Sequence, residues 1–236
     1  MNLILLFQED FIENTGLVRL QGRRFKHVSE VHRAAVGDEL CVGVLSGRIG
    51  TGKVTSLTES ALEMEIQLDR LPPPKLPLTL ILALPRPKVI RRVLRSASAM
   101  GVPRIILLNC FRVEKSFWQS PLLSDTSVRE QLILGLEQAR DTVLPEVMQK
   151  PLFKPFVEDE LPCIASGSLS LVAHPGAAVP CPRDVRQATV LAIGPEGGFI
   201  PYEIEKLVAC GFQPVRISDR ILSTETAVPA LLSRLF

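Results

Sequence analysis

Thr189-Val190-Leu191-Ala192-Ile193-Gly194-Pro195-Glu196-Gly197-Gly198-Phe199-Ile200-Pro201 is an apolar run that ends in glycine and reaches a proline. Nothing polar interrupts Val190 to Ile193, so neither face of that strand suits water. Such strands belong to parallel sheets covered by helices on both sides. Pro201 suits the first turn of a helix, where its missing N–H is not needed and its φ is already set. Between strand and helix, three glycines in five residues let the backbone take positive φ and approach a ligand without Cβ obstruction. A tight strand-to-helix corner asks for glycine on structural grounds as well. The segment matches neither the P-loop nor the dinucleotide fingerprint.

The surrounding chain repeats the pattern. Leu78 to Leu84 is a continuous apolar strand, followed by a helix with Val89, Ile90, Val93, Leu94 and Ala97 on one face and Arg91, Arg92 and Arg95 on the other. Gly101 and Pro103 end it. Ile105–Leu108, Leu169–Ala173 and Val215–Ile217 are further strands; Ser124–Thr142, Pro201–Cys210 and Glu225–Leu235 are further helices. Strands alternating with helices predict an α/β domain over residues 78–236, built on a parallel sheet. The prolines of residues 71–77, Leu-Pro-Pro-Pro-Lys-Leu-Pro, lack N–H donors and have fixed φ, so the run reads as a semi-rigid linker. Before them, residues 1–70 contain short β segments. In one, Leu62, Met64, Ile66 and Leu68 alternate with polar residues. With a helix between about Arg23 and Ala35, this order fits a small β-barrel.

Composition narrows the class. Hydrophobic residues make up 46% and charged residues 22% of 236, as in a packed globular chain. No apolar run reaches the roughly 20 residues a membrane helix needs. The opening Leu3-Ile4-Leu5-Leu6-Phe7 has no basic flank or cleavage site, so it reads as a strand of a cytoplasmic protein. Five scattered cysteines with no CxxC pair indicate buried thiols and no metal site. From Arg86 to Lys115, eight basic residues face Glu114 alone, a local charge of +7 in a chain of net +2. Such a concentration suits a polyanion at one face, and equally a solvated helix face.

A second segment, Ile217-Ser218-Asp219-Arg220-Ile221-Leu222-Ser223-Thr224-Glu225-Thr226-Ala227, lies at another strand end. Ser223 or Thr224 can cap the last helix. That role does not require Arg220 and Glu225 beside two hydroxyls. Gly194-Pro195-Glu196-Gly197-Gly198-Phe199 with Tyr202-Glu203-Ile204, then Arg220-Ile221-Leu222 with Thr224-Glu225-Thr226-Ala227, resembles the RsmE family of 16S ribosomal RNA uridine-N3 methyltransferases in the SPOUT superfamily. Glu137-Gln138-Ala139-Arg140 with Pro145, Gly101-Val102 and Val36-Gly37-Asp38-Glu39-Leu40 extend the resemblance over nearly the whole chain.

The resemblance implies a PUA-like β-barrel, then a SPOUT domain whose C-terminus is threaded through a trefoil knot. It implies a homodimer that acts on small-subunit ribosomal RNA and holds S-adenosyl-L-methionine in the knot loops. Carried onto this chain, those loops contribute Ala173 and His174; Gly194, Pro195, Glu196, Gly197 and Gly198; and Ile217, Leu222, Ser223, Thr224 and Thr226. RNA contacts fall on Arg23, Arg24, Lys26 and Arg33, on Arg86, Lys88 and Arg91, and on Arg112 and Arg140. The uracil N3 must lose a proton before it attacks a methyl group, which calls for a base or for a cation that stabilises the ring anion. Arg220 is a candidate cation, as is Arg140 if the partner subunit or a fold-back brings it near. Glu225 is the candidate base, or an arginine's partner. Phe117 and Trp118 are stacking residues or buried anchors. His27 and His32 lie on the basic N-terminal helix. The chain departs from the family pattern at Ser96-Ala97-Ser98-Ala99, at Ser218 and at Ser223. These departures leave open a methyltransferase for another RNA site, or a non-catalytic dimeric RNA-binding module. Gly197→Ala is expected to weaken cofactor binding, as measured by calorimetric titration; unchanged affinity would make the loop purely structural.

Overall fold

The computed structural model describes residues 2–13 and 15–236. The chain divides into two compact units, residues 1–74 with 133–144 and residues 75–132 with 145–236.

The first unit contains β1 (Ile4–Leu6), β2 (Leu17–Leu20), α1 (Gly22–His27), β3 (Glu39–Val44), β4 (Ile49–Leu57) and β5 (Leu62–Arg70). Its sheet runs β1-β3-β4-β5-β2, with β1 and β3 parallel and the other pairs antiparallel. On β5, Leu62 and Met64 are buried against Val18, Leu20, Val42 and Val54, as the period-2 pattern predicts. The strands β1 and β2 are outermost, and no ladder joins them among the described residues. The hydrogen-bond pattern is therefore that of a five-stranded sheet with two edges. The helix expected to Ala35 is α-helical only to His27, and a wider helical turn covers Val28–His32. Ser29 is the local cause: its Oγ donates to the carbonyls of Phe25 and Lys26 at 3.0 and 3.2 Å, competing with the helical ladder.

Two ion pairs anchor this unit. Arg24 grips Asp10 with two nitrogens, donates to the Leu5 carbonyl at 2.7 Å and lies 4.5 Å from the Phe7 ring centroid. Asp10 also accepts from the Phe7 N–H at 2.7 Å, and it is only 6% exposed. Residues 133–144 attach in the same manner. Arg23 meets Glu137 at 2.9 and 3.0 Å, the N–H groups of Asn2 and Leu3 both donate to the Glu137 carbonyl, and Thr142 Oγ1 donates to the Gly47 carbonyl.

The second unit contains β6 (Leu78–Ala83), α2 (Pro87–Ala99), β7 (Arg104–Leu108), the short α3 (Lys115–Trp118), α4 (Asp125–Ala139, shared with the first unit) and β8 (Glu146–Lys150). After two short turns of helix, α5 (Phe153–Pro155) and α6 (Leu161–Ala165), come β9 (Leu169–Ala173), β10 (Thr189–Ile193), α7 (Pro201–Ala209), β11 (Gln213–Val215) and α8 (Thr224–Leu235). The six strands are parallel in the order β11-β9-β10-β6-β7-β8. This confirms the mixed α/β class.

Two strands of this sheet differ from the sequence reading. The strand β8 has the polar pattern of an edge, with β7 as its one neighbour and Arg104 paired to Glu146 across the ladder at 2.9 Å. Glu146, Gln149 and Lys150 leave only Val147 and Met148 apolar, too short a run to detect. The last strand ends at Val215 and not at Ile217, because Arg216 turns its backbone to another partner: its N–H donates to the Val179 carbonyl, and its carbonyl accepts from Cys181. Replacing Asp10 with alanine leaves a mostly buried guanidinium unpaired, at an expected cost of about 3 kcal/mol. Urea denaturation checks this; a midpoint unchanged from the parent would mean that the pair contributes nothing.

Candidate functional site

Parallel strands present all their carboxyl ends on one side, and ligands bind there. At the ends of β9, β10 and β11, three loops enclose a cavity of about 350 Å³. Ala173, His174, Pro175 and Gly176 come from the loop after β9; residues 194–199 come from the loop after β10; Ile217, Ser218, Arg220, Ile221, Leu222 and Thr224 come from the loop into α8. Ile193, Val215, Ala227 and Leu231 add an apolar floor.

The β10 loop is held from several directions. The Gly198 N–H donates to the Pro195 carbonyl at 2.7 Å, and Gly198 has φ 72°, a conformation that disfavours any residue with a Cβ. Gly197 takes no positive φ. A Cβ there would lie 2.9 Å from Arg112 Cδ, and Arg112 itself donates to the Gly197 carbonyl. Conformational freedom is thus needed at Gly198 and close approach at Gly197. Glu196 Oε1 accepts from the Arg86 N–H at 3.1 Å.

Glu203 ties this loop to its neighbour. It is 2% exposed; one carboxylate oxygen accepts from the Ile200 N–H at 3.0 Å, capping α7, and the other accepts from the Phe111 N–H at 2.7 Å in the loop after β7. The same carboxylate helps push the Cys110 thiol far above its ordinary range, after burial as the main cause, so this cysteine is no nucleophile. In the β9 loop, His174 donates its N–H to the Val215 carbonyl, and its Nδ1 accepts from the Gly176 N–H at 3.1 Å. That contact places a lone pair, not a proton, on Nδ1.

Most expected cofactor residues therefore converge. Ala173, His174, Gly194, Pro195, Glu196, Gly197, Gly198, Ile217, Leu222 and Thr224 all line the cavity. Ser223 and Thr226 do not line it; their hydroxyls bond each other at 2.9 Å at the start of α8. The two candidate catalytic residues separate. Arg220 lines the cavity, is exposed, and has no ion-pair partner among the described residues. Glu225 does not line it and sits with Oε2 2.8 Å from Arg92 Nε. That is ion-pair distance, although the same oxygen lacks hydrogen-bond alignment.

The candidate RNA residues also differ in their engagement. Arg24 and Arg23 are occupied by Asp10 and Glu137. Lys26 and Arg33 are exposed in the first unit, as is Arg140, which has φ 56°. In the second unit Arg86, Lys88 and Arg91 are exposed at the start of α2, and Arg112 lies on the cavity rim. Trp118 is half-buried, its Nε1 donating to Asn109 at 2.9 Å. His27 and His32 meet edge-on with centroids 5.2 Å apart. In the sequence Glu203 stands out only as part of the Tyr202-Glu203-Ile204 motif; its place three residues after Ile200, with Pro201 between, is the capping signal.

Among the described residues no cluster of three or more His, Cys, Asp or Glu side chains has the arrangement to hold a metal, and no helix is long and apolar enough to cross a membrane.

A family model described as RNA methyltransferase domain matches residues 72–236. A relative from Treponema pallidum (strain Nichols), named Ribosomal RNA small subunit methyltransferase E, is 28% identical, covering 98% of this chain and 88% of its own. A protein of the same name from Mycobacterium bovis is 26% identical over 97% of this chain and 89% of its own. The crystal structure of a Ribosomal RNA small subunit methyltransferase E from Neisseria gonorrhoeae bound to S-adenosyl methionine has the same fold: TM-score 0.76 at 22% identity, covering 98% of this chain and 95% of that one.

Glu203→Ala strands two N–H donors, each costing about 1–3 kcal/mol if it stays unsatisfied. The expected result is a lower urea midpoint together with faster amide exchange at Phe111 and Ile200. Unchanged exchange at both would show that the carboxylate does not hold the loops together.

Proposed function

The chain belongs to the RNA methyltransferase domain family, and from that premise we propose that it uses S-adenosyl-L-methionine to methylate N3 of a uridine in 16S ribosomal RNA. The observation that carries this reading is the convergence of the β9, β10 and β11 loops on one cavity at the carboxyl ends of a parallel sheet. The names of the relatives supply the small-subunit RNA substrate, and the ligand of the Neisseria structure supplies the cofactor.

The residues present fit that cofactor. Gly194, Gly197 and Gly198 leave backbone accessible without Cβ atoms, Ile217 and Leu222 offer apolar walls, and His174 is fixed in orientation by Gly176. When bound, S-adenosylmethionine supplies an electrophilic methyl on a sulfonium. The protein then has to hold the uracil in line and favour loss of its N3 proton. Arg220 lines the cavity with no ion-pair partner among the described residues and would stabilise the negative charge on the ring oxygens. Glu225, held by Arg92 outside the lining, fits an organising role at the start of α8 better than that of a base.

The finer architecture belongs to the same proposal. Residues 1–70 would form a PUA-like RNA-binding barrel, 71–77 a linker, and 78–236 a SPOUT domain with a C-terminal knot, acting as a cytoplasmic homodimer. Support for the knot comes from the segment between β9 and β10: Cys181 pairs with Arg216, and the Val185 N–H donates to the Leu235 carbonyl at the end of α8.

Calorimetric titration with S-adenosylmethionine is expected to show binding. Mass mapping of 16S ribosomal RNA from a deletion strain is expected to show one methyluridine missing. A dimer that binds no cofactor would favour a non-catalytic scaffold, and an unchanged methyluridine would remove the proposed substrate. Arg220→Ala should lower kcat by about 10²-fold with cofactor affinity nearly unchanged. An equal loss of both would assign Arg220 to cofactor binding.

A further inference from the structure

Phe111 is 77% exposed, although it lies three residues beyond the end of β7 and directly follows the buried Cys110. Its ring contributes almost nothing to the core, so folding does not account for it. Its backbone is nonetheless firmly placed. The N–H is bonded to the buried Glu203 carboxylate at 2.7 Å. Cys110 before it and Val113 after it are both buried, joined by a turn in which the Val113 N–H donates to the Cys110 carbonyl at 3.0 Å. Arg112, the next residue, lines the cavity and donates to the Gly197 carbonyl. A rigid stalk therefore holds an aromatic face in solvent one residue from the cavity wall.

We propose that Phe111 is a base-stacking residue that holds an unpaired RNA nucleobase at the mouth of the cavity. This rests on the RNA methyltransferase reading and specifies how the substrate is gripped. Every nucleobase has a π-face, and stacking on an aromatic side chain is the usual way a protein holds a base removed from its helix. The charge around the ring fits the same occupant. Arg112 is adjacent, and Arg86, whose N–H bonds Glu196 of the next loop, is exposed with Lys88 and Arg91 following it. Cations beside an exposed ring suit a phosphate backbone whose base is stacked; an apolar protein partner would leave them desolvated.

The test compares Phe111→Ala, Phe111→Leu and Phe111→Trp with the parent chain. It measures methyl transfer to small-subunit ribosomal RNA and cofactor affinity. Because the ring is exposed, all three variants are expected to fold as the parent does. Alanine and leucine should raise KM for RNA about tenfold, tryptophan should restore it, and kcat and cofactor affinity should stay within about twofold. A leucine variant as good as the parent would overturn stacking in favour of plain apolar contact, and an unchanged alanine variant would overturn any role. Separately, indole fluorescence of Phe111→Trp, corrected for the Trp118 signal of the parent, should be quenched by a single-stranded oligouridylate. Absence of quenching overturns the proposal. If the parent itself transfers no methyl group, the functional reading fails, and the quenching experiment still decides the role of Phe111.

Discussion

A strand buried on both faces can satisfy its backbone only by pairing along both edges, and β10 does so, with β9 on one side and β6 on the other. Thr189 to Ile193 stand in unbroken parallel register with Leu169 to Ala173 and with Leu78 to Leu82. Parallel register puts the ends of β9, β10 and β11 on the same side of the sheet. The three loops that leave those ends meet for that reason, and the cavity between them follows from strand direction.

The loops still have to be held in place, and that task falls to buried polar groups. Glu203 is the main example. A carboxylate at 2% exposure is tolerable because both oxygens accept backbone N–H bonds, one at the cap of α7 and one in the loop after β7. It couples two loops that are 92 residues apart in sequence. Arg216 plays a comparable part through its backbone, pairing with the segment that follows β9. Hydrogen bonds of this kind give a net 0.5–1.5 kcal/mol or so each, but leaving one unmade inside the protein costs more. Loop position is therefore enforced mainly by the penalty for losing it.

Charged residues divide along the same line between structure and ligand. Arg24 and Arg23 resemble Lys26 and Arg33 in sequence, yet the first two are consumed in pairs with Asp10 and Glu137. Arg92 and Arg91 are neighbours on α2, and only Arg92 meets Glu225. A side chain's position on a helix gives its direction, but the acid it meets comes from a segment distant in the chain. Among the described residues Arg220 and Arg112 both line the cavity without a carboxylate partner, and Arg112 is bonded instead to the Gly197 carbonyl.

Periodicity and apolar runs are enough to read the α/β class, the strands β6, β7, β9 and β10 and the helices α2, α4 and α7, because those features record burial, and burial is written residue by residue. The glycine turn at 194–198 and the loop through Arg220 and Leu222 are legible as a candidate site through their joint resemblance to a family, and the structure brings both to one cavity. The edge strand β8, the end of β11 at Val215 and the partner of Glu225 are not legible. Each depends on which distant backbone or side chain arrives to share a hydrogen bond, and a linear pattern carries no record of that. The placement of Phe111 has the same origin: its backbone N–H is held by a carboxylate 92 residues further along the chain, and its ring is left in solvent.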